Sequence, residues 1–167
     1  MLTREQLAPH EWHVVRDAPH LVMMAVSAAG GSPLDRMLER RAGMRAIVEA
    51  AERTHPLVQA LAEAPQILEA QEGIHQWFLG LADGERTPQG LQERALQAVS
   101  HALDAIAEHG KGEDLMLYTD FLMSIARHVA RAAREGDVLG IGGKRVSAAE
   151  ALFLRKLEGI AATVVGV

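Results

Sequence analysis

The chain has 167 residues, 49% of them hydrophobic and 23% charged, which suits one globular domain and excludes a disordered chain. Aromatics are only 4%, so the core must be built from Ala, Leu, Ile, Val and Met, a composition that suits packed helices better than sheets. A formal charge of −5 weighs against non-specific nucleic-acid binding, and the lack of cysteine excludes disulfides, thiolate metal sites and a cysteine nucleophile.

The opening MLTREQLAPHEW carries charges where a signal peptide needs an apolar stretch. The longest apolar run, 21–26 and then 28–29, falls short of the roughly 18 residues a membrane span needs. A cytoplasmic protein without a membrane contact is expected. Asp17-Ala18-Pro19 predicts a helix start, leading into HLVMMAVSAA and ending at Gly30-Gly31. Apart from His20 and Ser27 this segment is apolar on every side, which marks a central helix.

Ser32-Pro33 predicts the next start, with Ser as cap and Pro at the first helical position. Over 33–53 the apolar residues Leu34, Met37, Leu38, Met44, Ile47, Val48 and Ala51 are expected to point inward. His55-Pro56 ends that helix, because a residue before proline avoids helical geometry. A short helix over 57–63 follows, and Ala64-Pro65 opens another with Ile67, Leu68, Ile74, Phe78 and Leu81 on one side.

After a turn at 82–86, Thr87-Pro88 repeats the cap-and-proline start. That helix should bury Leu91, Ala95, Val99, Ala102, Leu103 and Ile106 and close at Gly110 and Gly112. The clearest pattern lies over 115–135. There Leu115, Tyr118, Leu122, Ile125, Val129 and Ala133 recur at helical spacing, opposite Asp120, Ser124, Arg127, His128, Arg131 and Arg134. A glycine-rich loop covers 135–145. Val146, Ser147 and Glu150 then form a capping box ahead of a last helix with Leu152, Phe153, Leu157 and Ile160. The apolar tail 161–167 offers a surface for self-association.

The fold expected is therefore all-α: a single domain of six to eight helices packed around the 21–29 helix. An Ala-rich helix, a glycine turn and a Ser-started helix occur twice, which reads either as an old helical-hairpin duplication or as the way helical hairpins are ordinarily written.

Ile125-Ala126, Val129-Ala130 and Ala132-Ala133, the glycine loop, and then Val146-Ser147, Glu150 and Phe153-Leu154 resemble the TerB-like tellurite-resistance family. The resemblance implies a helical, non-enzymatic module of bacterial type, either stress-associated or a scaffold. The family's compact acidic Asp-Gly turn is replaced here by Gly136-Asp137 and a Leu-Gly-Ile-Gly-Gly insertion, and Gly30-Gly31 lacks the acidic residue too. The carboxylate metal site that the resemblance would imply is therefore not carried over.

Several groups invite a chemical reading. Glu52/His55 and Glu72/His75 have the Glu-xx-His spacing of di-iron bundles, with Glu108 and Asp120 as further carboxylates. Both pairs read instead as exposed helix surface, since His55 precedes a proline, Gly73 sits between Glu72 and His75, and the apolar stripes are uninterrupted. His10, His13, Asp17 and His20, with Glu11, form the densest histidine cluster. Zinc needs three or four convergent ligands, and convergence there would depend on bends at Pro9 and Pro19; polar residues around a helix start are the simpler reading. Gly142, Gly143, Lys144 and Arg145 precede a helix and present an anion-binding candidate, but no strand precedes them, the spacing is not that of a P-loop, and a flexible connector is the simpler reading. The arginine stripe of 127, 131 and 134 reads as a solvated face, and the seven methionines as adaptable core filling. No serine sits in a nucleophile elbow.

The function expected is that of a non-enzymatic helical module acting through protein contacts. A helical metalloprotein or enzyme and a small-anion pocket are the alternatives. No cofactor is strongly implied.

Overall fold

The computed structural model describes residues 1–28, 33–52, 55–82, 84–135 and 148–165. Among them lie seven α-helices and two single 3-10 turns, with no strand: α1 (Pro9–Ala28), α2 (Pro33–Glu49), α3 (Pro56–Leu61), α4 (Ala64–Gly80), α5 (Pro88–His109), α6 (Gly112–Glu135) and α7 (Ala148–Val165). No helix among them is long and apolar enough to cross a membrane.

α1 is the central rod, packed against α5, α6, α4 and α2 and more lightly against α7. Its residues 18–23 and 25–27 are all buried, as the unbroken apolar run predicts. Its start differs from the expectation. The helix begins at Pro9, where the Glu11 carboxylate reaches back to accept the Ala8 N–H at 2.7 Å, and it runs straight through Asp17 and Pro19. Pro19 has no N–H for the Val15 carbonyl. The buried Tyr118 of α6 donates its hydroxyl to that carbonyl instead, at 2.7 Å. A donor from another helix thus replaces the missing bond of the ladder.

α2 also sits differently from its apolar pattern. Glu39, Gly43, Ala46, Ile47 and, just past its end, Ala50 are buried, while Met37 and Val48 are 50% and 52% exposed. The reason is Gly43. A Cβ there would lie 2.6 Å from Met23 Cγ and 2.9 Å from Val129 Cγ2, so the missing side chain lets α2 approach both α1 and α6. The glycine edge turns inward, and Met37 turns out. Leu34 and Ala51 have side chains outside the described residues.

The remaining helices follow the sequence more closely. Thr87 accepts the Gly90 N–H at 3.0 Å as a helix cap, and α5 buries all six residues expected of it. α6 buries Leu115, Tyr118, Leu122, Ile125 and Val129, and exposes Asp120, Arg127, His128 and Arg131. α7 buries Phe153 and Leu157 and continues through the expected tail as far as Val165, although Leu152 points outward. On α4, Ile67, Ala70 and Ile74 are inside while Leu68 is exposed, because the buried edge passes from Gln66 and Ile67 through Ala70 to Ile74.

Candidate functional site

A half-open groove of about 1210 Å³ has α1 as its floor and α2, α4 and the start of α5 as its walls. Met23, Met24, Met44, Ile74, Phe78 and Leu91 make its surface apolar. Gln71 of α4 donates from Nε2 to the Met44 sulfur at 3.6 Å, tying α4 to α2 across the floor.

Charge is concentrated on the α2 wall. At 100° per residue, Met37 and Met44 form one line along the helix, with Arg36 and Arg40 on one side and Arg41 and Arg45 on the other. From Arg36 to Arg45 the row extends about 13 Å along the axis. All four arginines are exposed, and their guanidinium groups form no hydrogen bond or ion pair with the described residues. Arg86 is different: it caps the end of α4, donating to the Leu79 carbonyl at 2.8 Å and the Leu81 carbonyl at 3.1 Å while stacking over Phe78.

His20 lies at the bottom of the groove, 2% exposed, with no hydrogen-bond partner for its Nδ1. Burial, and secondarily the charge of Arg16, pushes its pKa down from 6.5 to about 4. The floor therefore holds a neutral imidazole with unused hydrogen-bonding capacity.

The residues proposed for a metal do not assemble. Because α1 is continuous through Pro19, His10 and His20 are separated by about 15 Å along the helix. His10 and His13 are exposed, Asp17 is half-buried and His20 is inside. Asp17 accepts from Arg16 Nε at 2.8 Å, so a guanidinium occupies the place an ion would take. Burial raises the Asp17 pKa, only partly offset by Arg16. His13, Arg16, Asp17 and Arg94 edge a smaller hollow of about 270 Å³, whose arginines make it unsuited to a cation.

The two Glu-xx-His pairs separate as well. His55 is 3% exposed and not on the polar side as its sequence context predicts; its Nε2 is 2.8 Å from Asp114 Oδ1. Glu52, Glu108 and Asp120 are exposed, as are Glu72 and His75. Glu72 accepts from Gln76 Nε2 at 2.8 Å, and His75 borders the groove. Among the described residues the one set of three potential ligand atoms lying close together belongs to Glu11, Glu108 and His109. There Glu11 already caps α1 and sits 3.0 Å from His109 Nε2. The loop candidates Gly142, Gly143, Lys144 and Arg145 lie outside the described residues.

The groove is the site that the sequence pattern did not mark. Its signal is present in Arg36-Met37, Arg40-Arg41 and Met44-Arg45, where methionine and arginine alternate around one helix face, but apolar periodicity alone assigns those methionines to the core.

Comparison of the chain with protein-family models, with curated proteins and with solved structures finds no match.

Proposed function

We propose that this chain is a non-enzymatic helical module that acts by contact, and that the groove between α1, α2 and α4 is its working surface. The observation that carries this reading is an apolar, methionine-lined hollow bordered by four guanidinium groups without a partner among the described residues. Such a surface attracts a ligand that is both greasy and anionic. The volume of about 1210 Å³ exceeds the usual range of small-molecule sites, which favours a large ligand over a metabolite. The groove residues also make a poor catalytic set. Ser27 directs its hydroxyl to the Arg36 carbonyl at 3.5 Å and lies about two helical turns from His20, so the two do not form a nucleophile–base pair.

The likeness of 125–154 to TerB-like domains adds a bacterial, cytoplasmic, stress-associated setting to the proposal; its test is tellurite tolerance in a host from which the gene has been deleted. Self-association through the apolar end of α7 belongs to the same contact reading, and light scattering on a chain truncated before Ala161 would discard it if the mass is unchanged.

The test of the groove itself uses anilinonaphthalene sulfonate, an apolar anionic dye. Saturable one-to-one binding with a rise in fluorescence is expected. Met44→Glu, which puts a negative charge between the arginines and the floor, should abolish it. Absence of saturable binding, or equal binding by the variant, would overturn the reading.

A further inference from the structure

We infer that the ligand of this groove is an acidic amphipathic α-helix of about three turns, presented by a partner protein. This rests on the contact reading above and specifies its partner.

The distribution of charge is the reason. A ligand with one anionic head and one greasy chain would engage the arginines at a single end of the groove and leave the others bare. Here the arginines flank the Met37–Met44 line on both sides and for about 13 Å along it. The matching object carries an apolar ridge with carboxylates along the flank that meets α2, repeated at each turn. A helix with leucine-like residues at i, i+3 or i+4, and i+7, and Glu or Asp beside them, has that form. Each guanidinium can take a carboxylate through paired N–H donors.

The floor fits the same occupant. Methionines are unbranched and adjust to differently shaped side chains, which suits a surface that receives a peptide ridge. The buried His20 imidazole, with Nδ1 unpartnered, gives the deepest point a polar feature that an anchoring side chain with a hydrogen-bonding tip would satisfy. The wider charge balance also directs an acidic partner here. The chain as a whole carries −5, yet Arg36, Arg40, Arg41, Arg45 and Arg86 all border this one groove. An acidic segment is therefore repelled by most of the surface and drawn to this face.

The test uses two blocked, fluorescently labelled peptides of about 18 residues with the same leucine spacing, one with glutamates and one with lysines on the flanking positions. The glutamate peptide should bind one-to-one, gain helicity on binding, and weaken by about tenfold between about 50 and about 300 mM NaCl. Arg40→Glu with Arg41→Glu, both exposed positions whose circular-dichroism spectrum should stay native, should weaken it by at least about tenfold. Equal binding of the lysine peptide, or undiminished binding by the double variant, would overturn the inference. If the dye and oleate saturate the groove and the glutamate peptide does not, the helical partner is wrong and the contact reading survives. If none of the three binds, both fall. A dimer by light scattering that dissociates in the double variant would place a second copy of this chain in the groove and overturn the partner-protein assignment.

Discussion

The Tyr118 hydroxyl stands 2.7 Å from the Val15 carbonyl, the one that Pro19 leaves without its helical donor. Tyr118 is fully buried and burial keeps its phenol protonated, so the donor is permanent. Tyr118→Phe leaves a buried carbonyl unsatisfied and should cost about 1–3 kcal/mol. Pro19→Ala restores the helical N–H, so in that background the same change should cost less than half as much. A double-mutant cycle from urea unfolding measures the coupling; equal costs in both backgrounds would show that the two residues act independently.

Asp114 joins three parts of the chain. Its carboxylate accepts from the Leu2 N–H at 2.5 Å and the Lys111 N–H at 2.8 Å, and lies 2.8 Å from His55 Nε2. Burial pushes its pKa up, but the two amides and the imidazole prevail and hold it at about 2 against an ordinary 3.8. The folded pKa is the lower one, so its stabilisation is complete above about pH 4 and is lost as pH falls toward 2, a contribution of about 2 kcal/mol. Asp114→Asn should be less stable at neutral pH and should show a shallower loss between pH 4 and 2. Urea midpoints across that range decide the matter.

His20 gives a second pH window. An imidazole with a folded pKa of about 4 and an unfolded value of 6.5 takes up its proton more readily when the chain is unfolded. Its contribution is therefore full above about pH 6.5 and declines as pH falls to about 4, by about 3 kcal/mol. His20→Leu should flatten the stability profile in that interval. A slope identical to that of the parent chain would assign the effect to other groups.

Gly43→Ala sets two effects against each other. Alanine favours a helix interior by about 1 kcal/mol over glycine. The new methyl would meet Met23 Cγ at 2.6 Å and the stiff Val129 branch at 2.9 Å, and such overpacking costs about 1–3 kcal/mol. Because Val129 is β-branched and buried, it has little room to move, and net destabilisation is expected. Thermal unfolding with a raised midpoint would contradict this.

Local signals in the chain were enough to specify most of the helices, the start of α1 apart. Thr87-Pro88 caps α5 as its residue types require, and the apolar stripes of α5 and α6 lie inside because a helix with one greasy face must bury it. The unbroken apolar run at 21–26 marks the rod at the centre for the same reason. Three features were decided only by the assembled structure. Pro19 lies within a helix because a hydroxyl 103 residues from Val15 supplies the hydrogen bond its carbonyl lacks, which no local pattern encodes. His55 is inside because Asp114, 59 residues on, partners it. The arginines of α2 border a groove because Gly43 fixes which edge of the helix touches its neighbours, and that rotation turns Met37 outward while Met44 stays packed against the core at the groove's edge. Periodicity along a chain reports which residues share a helix face; which face turns inward depends on how closely other helices can approach.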